Sequence, residues 1–239
     1  MIELINVEKR YGTKSLGLYN ESVTINSGEV VGILGENGSG KTTMLKAIMG
    51  LGEIQGGKIL IDGRPVTEQY ERMSFITEEG SFMPDMTPYE YGNFLAGFFP
   101  QFDTVRYNKL LEFFDIEPYK KIKTFSTGQK SKLEISAGFS KGAKYILMDE
   151  PFLGKDLFTR RDFLKLMVTS LKSDETILIS THLIDEIENF IDRAIILRYG
   201  RIQADFYIDD MRSKGKDLAA IMMEITGYKD DRYKEIFEG

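Results

Sequence analysis

Residues 35–43 have the types and spacing of a loop that binds phosphate groups. They match the G-x-x-x-x-G-K-[ST] motif at all of its fixed positions, which are Gly35, Gly40, Lys41 and Thr42. Glycines let the backbone approach the oxygens of a polyphosphate, and the N–H groups of the loop form an anion-binding nest at the positive end of a helix. The stretch therefore predicts a polyphosphate site.

The polar side chains of this loop have predicted roles at that site. The ammonium group of Lys41 would contact the β- and γ-phosphates, and the hydroxyl of Thr42 would bind Mg²⁺. Thr43 is expected to contact the α-phosphate. The predicted binding set is completed by the remaining loop positions, which are Glu36, Asn37, Gly38 and Ser39.

Two carboxylates follow a second apolar segment. Residues 145–148 predict a buried strand that runs directly into Asp149 and Glu150. Ligands and catalytic groups of open parallel sheets lie at the carboxyl ends of strands. Asp149 is therefore placed to hold the Mg²⁺ shell, and Glu150 to orient and deprotonate an attacking water. His182, which follows a buried strand predicted over residues 176–180, is placed to reach a γ-phosphate.

The segments that flank the glycine loop supply the context that its motif requires. Before it, residues 30–34 form an apolar run that predicts a buried parallel strand. After it, Met44, Leu45, Ile48 and Met49 recur at helical spacing. Strand, glycine loop and helix in this order distinguish a phosphate-binding loop from a chance glycine-rich turn.

The chain before the loop predicts two strands. One begins at Ile2 and ends at a turn over residues 9–12, and the second spans residues 16–25. Tyr11 falls in the predicted turn. Its ring could stack on the face of a purine, or it could be a half-exposed tyrosine at the end of a strand. The residues alone leave both alternatives open.

Between residues 81 and 140, helical signals follow one another without an intervening strand. Thr87 predicts a helix start, because proline follows it and Glu90 stands at the third position, and Asp103 predicts another. A third helix is expected over residues 128–140. We therefore predict an α/β chain with a helical insert at about 81–140. The aromatic residues of the insert form either its core or a binding face.

The remainder of the chain alternates again between helices and strands. Helices are predicted over residues 156–171 and 183–190, and a hairpin is predicted to join residues 194–197 to residues 201–206. From Asp209 onward the chain is charged and helical in character. No internal repeat, linker or low-complexity segment marks an independent domain.

Composition excludes several classes of protein. The length of 239 residues allows a substantial core, and a net charge of −6 disfavours nucleic-acid binding, which usually requires a basic face. Because the chain has no cysteine and only His182 as histidine, it can build neither disulfides nor a multi-histidine metal site. No run of about 18 apolar residues predicts a membrane span, and residues 1–4 do not resemble a signal peptide.

One pentapeptide identifies a family. Residues 125–129 read Phe-Ser-Thr-Gly-Gln and resemble the Leu-Ser-Gly-Gly-Gln signature that separates ATP-binding cassette (ABC) proteins from other phosphate-loop NTPases. The resemblance covers nearly the whole chain and implies one ABC ATPase domain over residues 1–227, followed by a short charged tail over residues 228–239. The implied fold is a P-loop NTPase core with a mixed sheet, an N-terminal antiparallel β subdomain and an inserted α-helical subdomain.

The resemblance also implies how ATP is held. Tyr11 would be the aromatic platform for adenine, Asp156 would belong to the loop after the acidic strand, and His182 would be the switch histidine. Two copies, or this chain and a different cassette, would form a head-to-tail dimer around two ATP molecules. In one subunit Lys41, Glu150 and His182 would be catalytic. They would face the signature residues of the other subunit, which are Ser126, Gly128 and Gln129.

The sequence departs from the family pattern in the signature, at Glu78 and in the loop over residues 151–156, which is apolar where the family is often small and polar. Phe125 replaces leucine and Thr127 replaces the first glycine of the signature, and the Cβ of Thr127 would loosen the contact with ATP across the dimer. Glu78 stands where the family usually has a glutamine that touches Mg²⁺ and water. A carboxylate can also bind Mg²⁺, so Glu78 is predicted as a metal ligand beside Thr42 and Asp149.

The implied function is that of the ATP-hydrolysing subunit of an ABC transporter, similar to the branch that serves exporters. Since no membrane span is predicted, the permease would be a separate chain, and this subunit would lie at the cytoplasmic face of the cell membrane. One alternative is a soluble ABC ATPase that acts as an assembly or regulatory factor, for example in iron–sulfur assembly. Another is a nucleotide-dependent binding switch with little turnover.

Overall fold

A computed structural model describes residues 1–12, 15–77, 80–151 and 157–227 of the chain. Its strands are β1 (Ile2–Tyr11), β2 (Ser15–Ile25), β3 (Val30–Leu34), β4 (Gly56–Ile61), β5 (Arg64–Pro65), β6 (Met73–Ile76), β7 (Tyr145–Asp149), β8 (Thr176–Thr181), β9 (Arg193–Arg198) and β10 (Arg201–Tyr207). Its helices are α1 (Lys41–Ile48), α2 (Pro88–Phe98), α3 (Thr104–Phe113), α4 (Thr127–Ser140), α5 (Leu157–Ser170), α6 (Ile184–Ile187), α7 (Ile208–Ser213) and α8 (Leu218–Thr226). Within the described ranges, no helix is both long enough and apolar enough to cross a bilayer.

A six-stranded sheet forms the centre of the fold. Its strand order is β10-β9-β3-β8-β7-β6, and every neighbouring pair is parallel except β9 with β10. β3 and β8 are buried along their whole length, as expected for parallel strands covered on both faces. The register pairs Leu34 with Thr181 and Asp149 with Ser180. The segments that follow β3, β7 and β8 therefore leave the sheet at one common edge.

A second, antiparallel sheet of four strands has the order β2-β1-β4-β5. One hydrophobic cluster joins both sheets to α1. It contains Leu4 and Ile25 from the antiparallel sheet, Ile33 and Leu178 from the parallel sheet, and Met44 from α1. This packing fixes α1 against β3, and it therefore fixes the position of the glycine loop between them.

The helical insert, comprising α2, α3 and α4, follows the local signals of the sequence. Thr87 and Glu90 form a reciprocal capping box at the start of α2. At the start of α3, the side chain of Asp103 accepts a hydrogen bond from the backbone nitrogen of Arg106 at 2.8 Å. Among the aromatic residues of the insert, Tyr91 is buried in the core, whereas Phe98 is 68% exposed.

The last half of α4 contacts the parallel sheet directly. Ser74 Oγ in β6 donates a hydrogen bond to the carbonyl oxygen of Gly138 at 2.9 Å. A Cβ at position 138 would lie 2.3 Å from Ile76 Cγ1, so only glycine permits this approach. α4 consequently spans from the insert to β6.

Several predicted boundaries are wrong. β1 continues through Tyr11, which pairs with Ser15, where a turn was expected from residue 9. The helix expected over residues 183–190 is only the single turn α6. The helical character expected from Asp209 onward is confirmed up to residue 227, where Gly215, with a positive φ of 67°, separates α7 from α8. The predicted tail over residues 228–239 lies outside the described residues.

Candidate active site

The glycine loop joins the buried end of β3 to the first turn of α1. Gly40 precedes α1 with a φ of 113°, and a Cβ there would lie 2.6 Å from the carbonyl oxygen of Gly17. Gly35 has a φ of 150°, and a Cβ there would lie 2.3 Å from the carbonyl oxygen of Leu197. The fixed glycines of the motif are thus required by the close approach of β2 and β9 as well as by backbone conformation.

Lys41 is the first residue of α1 and is only 5% exposed. Its ammonium group donates hydrogen bonds to the carbonyl oxygens of Gly35 at 2.8 Å and Glu36 at 3.2 Å. It also lies 3.2 Å from Glu150 Oε1. The lysine of the loop and the carboxylate that follows β7 therefore form an ion pair.

Glu150 is held in an unusual backbone conformation. Its φ is 44°, in the left-handed region, which costs a non-glycine residue about 1–3 kcal/mol. Its N–H group points at β8, where the carbonyl oxygen of Ser180 lies at 3.1 Å and Ser180 Oγ at 3.0 Å. Its second carboxylate oxygen, Oε2, lies 3.1 Å from His182 Nδ1. Lys41 and His182 thus contact the two oxygens of one carboxylate.

Asp149 connects the glycine loop to β8. Its Oδ1 accepts hydrogen bonds from Thr42 Oγ1 at 2.9 Å and from Ser180 Oγ at 2.6 Å. The sequence did not single out Ser180 as a site residue. The signal that could have found it is a hydroxyl residue near the carboxyl end of a buried strand, two positions before His182.

Thr42 and Asp149 suit a magnesium ion by their chemistry. Both offer hard oxygen donors, and Mg²⁺ is usually bound through one or two protein groups together with waters and phosphate oxygens. Among the described residues there is no group of three or more His, Cys, Asp and Glu side chains able to hold a metal. The third predicted ligand, Glu78, lies outside the described residues.

The predicted nucleotide residues line a cleft of about 280 Å³. Its lining consists of Tyr11, Gly17, Asn37, Gly38, Gly40, Lys41, Thr42, Thr43 and Glu150. Tyr11 is 49% exposed, and Thr43 Oγ1 donates a hydrogen bond to its hydroxyl at 3.4 Å. Extension of β1 through Tyr11 thus brings this ring, from outside the motif, to the helix that follows the loop.

The other predicted loop residues occupy different surroundings. Gly35, Glu36 and His182 line an adjoining groove of about 410 Å³, which α8 closes on its far side. Ser39 is 4% exposed, and its backbone serves the loop itself: its N–H donates to the carbonyl oxygen of Glu36 at 3.1 Å, and its carbonyl oxygen accepts from the N–H of Gly200 at 2.8 Å.

The signature residues lie at the N-terminus of α4. Ser126 and Gln129 form a reciprocal capping box, in which Ser126 Oγ accepts from the Gln129 N–H at 3.2 Å and Gln129 Oε1 accepts from the Ser126 N–H at 3.0 Å. Ser126, Thr127 and Gly128 are exposed, whereas Phe125 is 5% exposed. None of these residues contributes to the described lining of the nucleotide cleft. Asp156 lies outside the described residues.

Comparison with known protein families gives one match over much of the chain. The family model described as "ABC transporter" matches residues 18–153. This range contains the glycine loop, the signature residues and the acidic end of β7.

Curated relatives agree with this match. The chain is 32% identical to the ABC transporter ATP-binding protein YtrB of Bacillus subtilis (strain 168), over 90% of this chain and 74% of that protein. It is 30% identical to the Nod factor export ATP-binding protein I of Burkholderia lata, over 95% of this chain and 81% of that protein.

Solved structures share the fold. The structure of an ATP-binding subunit of an ABC transporter superposes with a TM-score of 0.83 at 28% identity, and it covers 95% of this chain and 99% of that one. The dimeric structure of MJ0796, a bacterial ABC transporter cassette, gives a TM-score of 0.77 at 25% identity, with 87% of this chain and 99% of that one covered. The expected P-loop NTPase core, with its antiparallel sheet and helical insert, is confirmed.

Proposed function

The chain belongs to the ABC transporter family, as a subunit that binds and hydrolyses ATP, and from this premise we propose that Lys41, Glu150 and His182 carry out the hydrolysis. One observation carries the proposal: the two oxygens of Glu150 lie 3.2 Å from Lys41 Nζ and 3.1 Å from His182 Nδ1. The three side chains come from three segments that meet where parallel strands end beside the glycine loop, which is where such sheets bind ligands.

In this proposal the phosphates compete with Glu150 for Lys41. Lys41 is buried and already ion-paired, so a γ-phosphate that enters the loop takes over its ammonium group. Glu150 is then free to accept a proton from a water aligned for in-line attack on phosphorus. His182, in contact with Glu150 Oε2, is placed to donate a hydrogen bond to the γ-phosphate. Catalysis consists mainly of positioning and charge stabilisation.

Thr42 and Asp149 are proposed as the protein ligands of Mg²⁺, with Glu78 as a further ligand. When bound, Mg²⁺ neutralises charge on the phosphoryl group that is transferred. The hydrogen bond of 2.9 Å between Thr42 Oγ1 and Asp149 Oδ1 holds these two oxygen ligands next to each other.

The signature residues are proposed to act on the ATP of a second cassette, which is either another copy or a different chain. Ser126 and Gly128 are exposed and lie apart from the described lining of their own cleft. The N-terminus of α4 carries the positive end of a helix dipole, which suits a γ-phosphate. A cassette that is similar in fold, MJ0796, is known as a dimer.

ATP hydrolysis by this subunit is proposed to drive transport through a separate membrane permease. This subunit would lie at the cytoplasmic face of the cell membrane. Support comes from relatives named as ATP-binding proteins of transporters, one of them a Nod factor exporter. The Ser-Thr-Gly-Gln signature and the Glu78 substitution support the proposal that the transporter is of the exporter type. The whole of residues 1–227 is proposed to work as one ATPase domain.

Hydrolysis is tested by steady-state ATPase assays on Glu150→Gln with Glu186→Gln as the matched control. Loss of a general base lowers kcat by about 10²–10⁴-fold. Glu186 pairs with Arg160 and lines the adjoining groove but not the nucleotide cleft, so its substitution makes the same charge change outside the cleft. A Glu150→Gln protein that turns over ATP as fast as the parent overturns the assignment.

The permease is tested by a tagged pull-down from detergent-solubilised native membranes, with bound chains identified by mass spectrometry. Recovery of a polytopic membrane protein in stoichiometric amount supports the proposal. Recovery of soluble partners alone, with the chain absent from membranes, contradicts it and favours a soluble assembly or regulatory factor.

A further inference from the structure

Glu134, in the middle of α4, is a buried carboxyl group that the proposed reaction does not use. The residue is 2% exposed. In the described part of the chain, no basic side chain forms an ion pair with it. Burial of such a group is costly unless its oxygens are hydrogen-bonded.

A single residue supplies these hydrogen bonds. Ser81 donates its backbone N–H to Glu134 Oε2 at 3.1 Å and its hydroxyl to Glu134 Oε1 at 3.1 Å. Ser81 is the second described residue after the gap at 78 and 79, so this pair fixes the point at which the chain enters the helical insert.

The hydroxyl of Ser81 also contacts Tyr91 of α2, at 3.2 Å from the Tyr91 hydroxyl. Because the one proton of the serine hydroxyl is directed at Glu134, Tyr91 must be the donor in this contact. Burial, together with the charge of Glu134, raises the pKa of Tyr91 to about 12, so the tyrosine keeps its proton at neutral pH. A directed chain of hydrogen bonds thus runs from Tyr91 through Ser81 to Glu134.

Glu134 lies at the middle of α4, the helix that also carries the signature residues and contacts β6. Two helical turns before it, about 12 Å along the axis, lies the capping box of Ser126 and Gln129. One turn after it lies Gly138, which bonds Ser74 of β6. The same helix therefore presents the signature residues, holds the entry to the insert and abuts the parallel sheet.

We propose that Glu134 is a positioning residue for ATP-driven pairing of two cassettes. It locks α4 to the entry segment at Ser81, so that the Ser126–Gln129 cap is presented to the partner's ATP in one orientation. This inference rests on the proposed function, in which the signature residues act across a dimer. It requires no role for Glu134 in the binding of ATP to a single copy.

The test measures ATP-induced dimerisation by analytical ultracentrifugation in a Glu150→Gln background, where bound ATP persists. Adding Glu134→Leu is expected to weaken dimerisation by at least about tenfold, because α4 loses both hydrogen bonds to Ser81 and the Ser126–Gln129 cap loses its fixed orientation. The Kd of one copy for a fluorescent ATP analogue, measured below the dimerisation concentration, is expected to change less than twofold. The matched control Tyr91→Phe removes the Tyr91 hydroxyl from the chain of hydrogen bonds, and it leaves both hydrogen bonds between Ser81 and Glu134 intact.

Because Glu134→Leu leaves the Ser81 N–H unpaired and can impair folding, Glu134→Gln is the second variant. Its amide oxygen still accepts from the Ser81 N–H, so dimerisation is expected to recover at least partly. A Glu134→Leu protein with a lowered Tm but parental dimerisation overturns the inference and leaves Glu134 a purely structural residue. A parent Glu150→Gln protein that binds ATP and stays monomeric instead overturns the dimer in the proposed function.

Discussion

Ser180 Oγ donates a hydrogen bond of 2.6 Å to Asp149 Oδ1. The same hydroxyl accepts a hydrogen bond of 3.0 Å from the backbone N–H of Glu150, the residue after Asp149. Ser180 is fully buried in β8. One hydroxyl therefore orients the proposed metal ligand and stabilises the left-handed backbone of the proposed general base.

Ser180→Ala is expected to lower the kcat of ATP hydrolysis by roughly 10–100-fold, because the Asp149 carboxylate and the backbone N–H of Glu150 each lose the hydrogen bond that orients them. The Kd for ATP without metal is expected to stay within a few-fold, since the glycine loop is untouched. Steady-state kinetics and metal-free nucleotide binding measure the two effects.

The control for Ser180 is Thr176→Val, at the other end of the same strand. Thr176 is also fully buried, and its hydroxyl accepts the N–H of Gly28 at 2.8 Å. Thr176→Val should lower the free energy of unfolding by about 1–3 kcal/mol and leave kcat unchanged. Equal loss of kcat in both variants would mean that Ser180 acts only through stability.

Glu150→Gln is expected to bind ATP more tightly than the parent. In the protein alone Glu150 competes for Lys41 at 3.2 Å, and removing its charge frees the ammonium group for phosphate. A competing ion pair of about 1 kcal/mol corresponds to an affinity gain of roughly fivefold. Isothermal titration calorimetry with a non-hydrolysable ATP analogue gives the Kd, and a weaker Kd than the parent would contradict the competition.

Tyr11→Ala distinguishes an adenine platform from an ordinary tyrosine at a strand end. If the ring stacks on the base, its loss weakens ATP binding by about 1–3 kcal/mol, and Tyr11→Phe retains most of the affinity. Tyr19→Ala is the matched control, because Tyr19 is similarly exposed on the neighbouring strand β2 and does not line the cleft. Unchanged affinity in Tyr11→Ala would assign the residue to the strand alone.

Gly40→Ala is expected to destabilise the protein and abolish nucleotide binding. Its φ of 113° strains any other residue by roughly 1–3 kcal/mol, and the new Cβ would meet the carbonyl oxygen of Gly17 at 2.6 Å. The control Gly97→Ala lies in α2 with no atom within 4 Å of the new Cβ and should stabilise the helix by about 0.5–1 kcal/mol. Chemical denaturation gives the free energies of unfolding.

Predictions drawn from short-range patterns were correct where the interactions are themselves local. The capping box of Thr87 and Glu90 and the cap at Asp103 form within one turn of chain, so the residue types determine them. The same reasoning failed at Tyr11, because β1 is extended by its pairing with Ser15 across the turn.

The sequence by itself determined the family, the α/β core with its helical insert, and the glycine loop with its lysine, because each is encoded in a contiguous run of residues. Only the tertiary structure decided that Lys41 pairs with Glu150. It also decided that Ser180 hydrogen-bonds both Asp149 and the backbone of Glu150, and that Glu134 hydrogen-bonds Ser81. These contacts join residues dozens of positions apart in the chain. They exist because β3, β8 and β7 lie side by side and because α4 packs across the entry to the insert. Strand order and helix packing are determined by the burial of the whole core, and no short run of residues encodes them.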